Sequence, residues 1–547
     1  MTDLSHHDLV SLLALLAAGT AMLVLVPKLR IPYPILLVLG GLALGFVPGL
    51  PEIDLPPDLV LVGILPPLLY GAAFFTSLRD LRANLRPVGL LAVGLVLLTM
   101  VIVAVVAHAI VPGLPWAAAF VLGAVVSPTD PIAATAIMQR LGVPRRIVSI
   151  VEGESLVNDG TALVAYRAAV VATVSGVFSI WEAGIAFVLS VAGGIVVGLA
   201  VAWLVRQVRL RLDFPPAEVT ISLLTGYFAY IPAELIGVSA VIAAVTAGIY
   251  LGWYTPELTT PEVRLMGESA WEIVTFTLNA ILFTLIGLQL PGILDQLDAY
   301  SATDLLWWAV AIWLTVLVAR ALWVYPAAKL PRLLVPHIRE RDPMPPRAAL
   351  ALITWSGMRG AVSLAAALAI PLATDAGDPF PGRDLILFLT FAVIFGTLVI
   401  QGLTLPAVIR LLDLEDDGEE AARDEAQARI RAAEAALVRL EELVDEEWVR
   451  EDTAERVRGG YDFRKNRFSA WLDGADDGSI EARSRDFQRL RRELLSAERD
   501  AVNELRRSGE ISEEVARRVS RDLDLEDARL EIPVGAPLPG SASVTTG

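Results

Sequence analysis

The stretch Glu152-Gly153-Glu154-Ser155-Leu156-Val157-Asn158-Asp159-Gly160 sets three acids inside, or at the mouth of, an apolar segment running to about Val174. A carboxylate in hydrocarbon costs several kcal/mol unless it is paired or ion-bound, so an acid there is a functional hypothesis in itself. Ser155 and Asp159 are four residues apart, as are Glu154 and Asn158, and each pair shares a helix face. At about 1.5 Å per residue, a helix entering near Ser149 carries Asp159 roughly 15 Å deep, near the midplane of a core about 30 Å thick. Glu154 lies only about 7 Å deep on the same scale. A hard monovalent cation takes oxygen ligands, and Asp159, Ser155, the Thr129 side chain and carbonyls freed around Pro128 and Pro131 offer them.

Other buried charges divide the duties. Asp130 and Arg359 also fall near the midplane, while Arg320 lies about 12 Å from the inner surface, close to the depth of Glu154. Arg320 is therefore expected to neutralise Glu154. Arg359 and Asp130, with the interrupted backbones around them, offset each other's charge and the half-helix dipoles. Asp130 serves equally well as a helix cap or as a ligand, and Glu154–Arg320 reads first as a structural ion pair. Asp159 is left with no dedicated base, since Arg167 is two turns away. Such a carboxylate is neutralised by a proton or by a cation, and competition between the two is the chemistry of an exchanger. Asn158 is placed to orient Asp159 or to brace the interrupted helix, and its neutral amide adds no second proton site. Glu152 stands near the inner mouth. His108 is incidental, and Gln401 is expected to make an interhelical hydrogen bond.

These residues need a membrane around them, and the composition supplies one. The chain has 547 residues, of which 55% are hydrophobic and only 19% charged, and more than half of the charged ones lie after Leu412. A soluble domain carries roughly 45–50% apolar and about 25% charged residues. The fold class is an all-α polytopic membrane protein, residues 1–412, followed by a charged helical tail, residues 413–547. Apolar runs long enough to span occur near 8–27, 33–49, 57–76, 87–111, 115–139, 149–174, 182–205, 217–233, 237–254, 270–290, 304–328, 346–371 and 384–410, about thirteen helices. Basic residues concentrate in alternate loops (Arg79, Arg82 and Arg86; Arg140, Arg145 and Arg146; Arg206, Arg209 and Arg211; Lys329 to Arg347), and acids in the others, so the tail is placed on the cytoplasmic side. The stretch Thr255–Ser269 is the one inside loop without that signature.

Two spans are interrupted: the fifth by Ser127-Pro128-Thr129-Asp130-Pro131, the twelfth by Ser356-Gly357-Met358-Arg359-Gly360. With the seventh as linker, each is the fifth member of a six-helix half, and matched broken helices point to a transport site between inverted repeats. In the tail, Glu415–Leu443, Arg483–Arg507 and Ser512–Leu530 read as charged helices, Gly474–Gly478 as a break, and 532–547 as disordered. The net charge of −17 argues against nucleic acid as a partner, and the lack of cysteine removes disulfides and thiolate chemistry. No removable signal peptide is read at the N-terminus.

Thr129-Asp130-Pro131, Glu154-Ser155-Leu156-Val157-Asn158-Asp159, Phe283-Thr284-Leu285-Ile286-Gly287, Val318-Ala319-Arg320, Trp355 to Gly360 and Gln401-Gly402-Leu403-Thr404 occur in order over residues 8–412. That ordered set resembles the monovalent cation:proton antiporter-1 family, the sodium/proton exchangers of the bacterial NhaP type and their eukaryotic relatives. The resemblance implies a thirteen-helix inverted-repeat fold, a homodimer in the plasma membrane and elevator-like alternating access, with no cofactor and no enzymatic reaction. It implies that Asp159 carries the ion or proton, with Asn158, Ser155, Thr129, Asp130 and Glu154 around it, Arg320 paired to Glu154 and Arg359 supporting the crossing helices. The cation expected is Na⁺, with K⁺ or Li⁺ as alternatives for K⁺ and pH homeostasis. Electrogenic relatives carry two adjacent aspartates where Asn158-Asp159 stands, so one-for-one, electroneutral exchange follows. Charged helical tails in the family are regulatory, and this one is expected to bind a ligand or partner. A cation channel is the alternative activity; an intramembrane aspartic protease would need a Gly-x-Gly-Asp-like motif, which neither Asp130 nor Asp159 has.

Overall fold

The computed structural model describes residues 32–47, 56–177, 179–297, 300–414, 419–473 and 479–530. Apart from one isolated pairing of Ala373 with Pro379, the regular structure among the described residues is helical. They divide between Glu415 and Asp416 into two compact units. The expected first span, 8–27, lies outside the described residues, as do the break at 474–478 and the final segment 532–547.

The first unit contains α1 (Tyr33–Gly45), α2 (Leu59–Phe75), the short α3 (Leu78–Ala83), α4 (Leu85–Ile110), α5 (Trp116–Val126), α6 (Ile132–Arg140) and α7 (Arg145–Ser175). It continues with α8 (Ile180–Arg209), α9 (Pro215–Ile236), α10 (Ala240–Leu258), α11 (Pro261–Asp295), α12 (Ala302–Leu334) and α13 (Pro336–Arg341). It closes with α14 (Arg347–Trp355), α15 (Ala361–Leu368) and α16 (Arg383–Leu412). Six of these, α4, α8, α9, α11, α12 and α16, are long and apolar enough to cross a membrane. Hydroxyl caps open several: Ser239 accepts the Ile242 N–H at 3.3 Å, Thr260 that of Val263 at 3.4 Å, and Ser301 that of Asp304 at 3.1 Å. The stretch Thr255–Ser269, expected as a loop, is helical except at Thr259 and Thr260: α10 runs on to Leu258, and Pro261 starts α11 in its first turn. Polar residues hid these ends because the apolar runs stop a turn or two before the hydrogen bonds do.

The helices pack as two groups. One joins α1, α2, α8, α9, α10 and α11; the other joins α4, α5, α7, α12, α14, α15 and α16. Close crossings in the first group rest on glycine. A Cβ on Gly287 would stand 2.6 Å from Leu42 N, and one on Gly248 would stand 2.6 Å from Tyr70 O, so only a bare backbone permits α11 to meet α1 and α10 to meet α2.

The second group holds both broken helices. Pro128 and Pro131 lack N–H donors, so the α-helical ladder stops at Val126 and resumes at Ile132. The chain between α14 and α15 is extended at Gly360, and the two breaks cross: Asp130 N donates to Met358 O at 2.8 Å. Gly357 and Gly360 are required there for space. A Cβ on Gly357 would lie 2.5 Å from Arg320 Cδ, and one on Gly360 would lie 2.7 Å from Asp130 Cγ.

The second unit has four helices, α17 (Glu419–Leu443), α18 (Glu451–Leu472), α19 (Ser479–Ser508) and α20 (Glu513–Arg529). α18 was not expected. Gly459-Gly460 at its middle lowers helix propensity by about 1 kcal/mol per glycine, yet packing against α17 carries it, with Arg429 over the Phe468 ring at 5.2 Å and Lys465 on Glu434 at 3.1 Å. α19 and α20 are joined by ion pairs of Arg491 with Glu526 and of Arg499 with Asp524 and Asp527.

Gly360→Ala is expected to lower stability by about 1–3 kcal/mol, the cost of overpacking a closed site. Gly184→Ala, where an added Cβ meets nothing within 4 Å, is the matched control. Thermal melting in detergent checks this, and equal melting of the two variants would contradict the crossing.

Candidate functional site

Four side chains of α7 converge on the first break. Glu154, Ser155, Asn158 and Asp159 are all buried. Ser155 Oγ donates to Thr129 O at 2.9 Å. Asn158 Nδ2 donates to Thr129 Oγ1 at 2.8 Å and reaches Thr129 O at 3.4 Å. Thr129 Oγ1 in turn donates a hydrogen bond to Glu154 Oε1 at 3.1 Å. Thus both oxygens of Thr129 are engaged in tying the broken helix to α7. Ser155 points its hydroxyl hydrogen at Thr129 O and keeps its lone pairs free, so it remains an oxygen donor for a cation. Any cation contact by Thr129 competes with this brace.

Glu154 takes a two-pronged grip from Arg320, Nη1 to Oε1 at 2.5 Å and Nη2 to Oε2 at 2.8 Å, with both side chains 1% exposed. The third guanidinium contact, Nε to Ile353 O at 2.9 Å, falls on a carbonyl in the last turn of α14. Arg359 does the same for the other broken helix. Its Nε donates to Val126 O at 3.1 Å, the last residue of α5, and its Nη1 to Gly357 O. Each arginine meets the negative end of a half-helix. Asp130 takes the opposite end: its Oδ1 accepts from Ile132 N at 3.0 Å at the start of α6, and Gly360, which precedes α15, lies against its carboxylate. Asp130 and Arg359 were expected to offset each other and the half-helix dipoles; they form no ion pair with each other, and each acts on a helix end. The four charges cancel as a group.

Asp159 stands apart. Its side chain is 7% exposed and makes no hydrogen bond or ion pair with the described residues. Arg167, the nearest base along α7, is taken by Glu234 of α9 at 2.5 Å. Of the other residues singled out, Glu152 accepts from Gln139 Nε2 at 3.4 Å, and His108 Nδ1 meets Leu114 O at 2.7 Å with its ring stacked on Trp116. The hydrogen bond expected of Gln401 is missing: its Oε1 is buried with no partner among the described residues. Thr397 was overlooked, and its Oγ1 accepts the Arg359 N–H at 3.0 Å, fixing the second break from α16. So was Asn279 on α11, buried, beside Tyr33, with Oδ1 unpartnered. A lone amide in an apolar run was the signal for it.

Broken helices crossing beside a buried, unpaired acid define the class of ion-coupled membrane transporters. The family model described as sodium/hydrogen exchanger, transmembrane, matches residues 12–411. An uncharacterized Na⁺/H⁺ exchanger of Mycobacterium tuberculosis is 36% identical over 538 residues, covering 96% of this chain and 97% of that protein. A sodium, potassium, lithium and rubidium/H⁺ antiporter of Bacillus subtilis is 32% identical over 504 residues, 89% of this chain and 72% of its own length. Among solved structures, the sodium proton antiporter MjNhaP1 of Methanocaldococcus jannaschii superposes with a TM-score of 0.58 at 21% identity over 74% of this chain and 98% of that one, a likeness of fold. The chain belongs to the sodium/hydrogen exchanger family, as an NhaP-type member of the monovalent cation:proton antiporter-1 group. It is an integral membrane protein, and membership carries the coarse activity, cation/proton antiport.

Arg320→Ala strands a buried Glu154 carboxylate and is expected to cost about 3–5 kcal/mol of stability, with partial rescue by Glu154→Gln. A double-mutant cycle of melting free energies measures this, and strictly additive losses would show that the two groups are independent.

Proposed function

We propose that the chain exchanges Na⁺ for H⁺ across the plasma membrane, one for one, by letting the two ions compete for Asp159. The observation that carries this is the isolation of that carboxylate. Every other charge of the crossing is neutralised by a named partner or helix end, while Asp159 is buried with none. Bare, it is unstable there; a proton or a cation relieves it, and the two exclude each other. Ser155, one turn away, supplies a second oxygen, and Asn158, Thr129, Glu154 and Asp130 hold the break in shape around it. The Bacillus subtilis relative is named for potassium and lithium as well as sodium, which favours K⁺ and Li⁺ as further substrates.

The proposal includes thirteen membrane helices in two inverted repeats, with the tail inside and regulatory, and a homodimeric assembly. Described helices at the positions of the second to thirteenth expected spans, and the pairing of the fifth with the twelfth as broken helices, support it. Access alternates when the group containing α4–α7, α12 and α14–α16 moves against the group containing α1, α2 and α8–α11. The Arg167–Glu234 pair joins those groups, and it must open as they move.

Asp159→Asn and Asp159→Ala are expected to abolish cation-driven proton flux in proteoliposomes while melting normally. Wild-type flux from Asp159→Asn would remove Asp159 from the carrier role. Flux compared among Na⁺, K⁺ and Li⁺, with and without a clamped membrane potential, settles selectivity and electroneutrality. A potential-independent rate is expected.

The chain has no cysteine, so Arg167→Cys with Glu234→Cys can be joined by a short bifunctional thiol reagent on a silent background. Cross-linking through a cleavable reagent is expected to stop exchange, and reduction to restore it. Undiminished exchange by the cross-linked protein would mean that α7 and α9 do not separate.

A further inference from the structure

Two adjoining cavities lie at the end of the bundle where α7 begins and α12 ends. The smaller, about 220 Å³, is walled largely by apolar side chains, including Leu91, Ile147, Ile150, Val324 and Leu350. The larger, about 650 Å³, is lined by Arg82, Arg86, Arg145 and Arg146 against the two acids Asp80 and Asp342. Arg86, Pro87 and Arg146 border both, so an apolar chamber opens beside a basic one.

The charge there is not balanced. Asp342, which also lines the larger cavity, accepts from Arg86, from Arg146 at 2.7 Å and from Arg332 at 2.7 Å. Burial alone would raise the Asp342 carboxyl, but the hydrogen bonds and charges of Arg146 and Arg332 outweigh it and hold it below the usual carboxylate range. It is therefore one full negative charge facing three guanidiniums. Arg145 is matched by Asp80 at 3.1 Å, and Arg82 lies over the Trp253 ring at 5.9 Å with no ion pair among the described residues. The start of α7 adds to the excess, since no side chain caps it and its first turn holds Arg145 and Arg146 where acids are favoured.

We propose that the two cavities form one seat for an anionic membrane lipid, its phosphate against Arg86, Arg145 and Arg146 and a segment of acyl chain in the apolar chamber. A basic pocket between helices at the membrane surface suits such a head group, and the excess guanidinium charge matches a phosphate that joins Asp342 rather than replacing it. Inorganic phosphate shares the head-group chemistry but has nothing to place in the apolar chamber. The lipid would tie α4, α7, α12 and α14 together at this end of the transport group.

The test uses the full chain in neutral detergent, with melting and native mass spectrometry in the presence of phosphatidylglycerol, phosphatidylcholine or inorganic phosphate. Phosphatidylglycerol is expected to raise Tm by several degrees and to remain bound in the gas phase, and the other two to do neither. Arg146→Gln, half-exposed, and Ala349→Phe, which fills the apolar chamber, are each expected to lose most of that shift and at least tenfold in lipid retention. If Ala349→Phe does not fold, Ala328→Leu, which lines the same chamber, replaces it. Equal stabilisation by phosphatidylcholine, a full shift from inorganic phosphate alone, or an undiminished shift in the chamber-filled variant would each overturn the proposal.

Discussion

The site depends on the crossing of two broken helices, and that crossing depends on where its dipoles are neutralised. Breaking a helix inside a membrane exposes carbonyls at one end and N–H groups at the other, in a medium that offers neither water nor counterions. Here each negative end receives a guanidinium, Arg359 on Val126 O and Arg320 on Ile353 O, and the positive ends share Asp130. Arg320 would then be a surplus charge, and Glu154 removes it through two short hydrogen bonds. An isolated buried ion pair is weak evidence for stability, because desolvation consumes the attraction. This one does different work, since Arg320 also donates to a half-helix carbonyl, Ile353 O, which it shares with Ser356 Oγ at 3.0 Å.

Glycine makes the arrangement sterically possible. The guanidinium of Arg320 passes over Gly357, and the carboxylate of Asp130 rests against Gly360. A methyl group at either position would push a charged group off its helix end. The polar groups of this crossing thus have little freedom, and the pliancy needed for the proposed alternating access must come from how the helix groups move against each other. The glycine-lined contacts of α1 with α11 and of α10 with α2 lie inside the opposite group, so close packing stiffens both bodies.

Much of this was legible in the sequence because membrane helices announce themselves by apolar length and buried charges by their rarity. The depth estimate that levelled Arg320 with Glu154 used only the rise per residue, and the structure joins those two side chains. Both breaks were readable from proline and glycine. What was not legible depends on partners far apart in the chain. No local signal says that Arg359 serves the end of α5 and not Asp130, or that Thr397 of α16 holds the Arg359 amide. Arg167 could not be assigned without Glu234, which lies on another helix. α18 was missed because Gly459-Gly460 argues against a helix locally, and only its packing on α17 overrides that.

Asn158, the neighbour of the proposed carrier Asp159, is bound into the brace of the broken helix. Asn158 donates Nδ2 to Thr129 Oγ1, and Thr129 Oγ1 in turn donates to Glu154. A hydroxyl whose hydrogen is directed at Glu154 can only accept from position 158, and an ionised carboxylate there has no hydrogen to donate. An aspartate there would either break the brace or have to stay protonated, and it would add a second carboxyl beside Glu154. The amide is what lets Thr129 bridge α7 to the broken helix, and its neutrality leaves Asp159 as the one uncommitted charge. One uncommitted charge balances either one proton or one monovalent cation, so the electroneutral stoichiometry proposed for this exchanger and the hydrogen-bond chain that braces its broken helix rest on the same side chain.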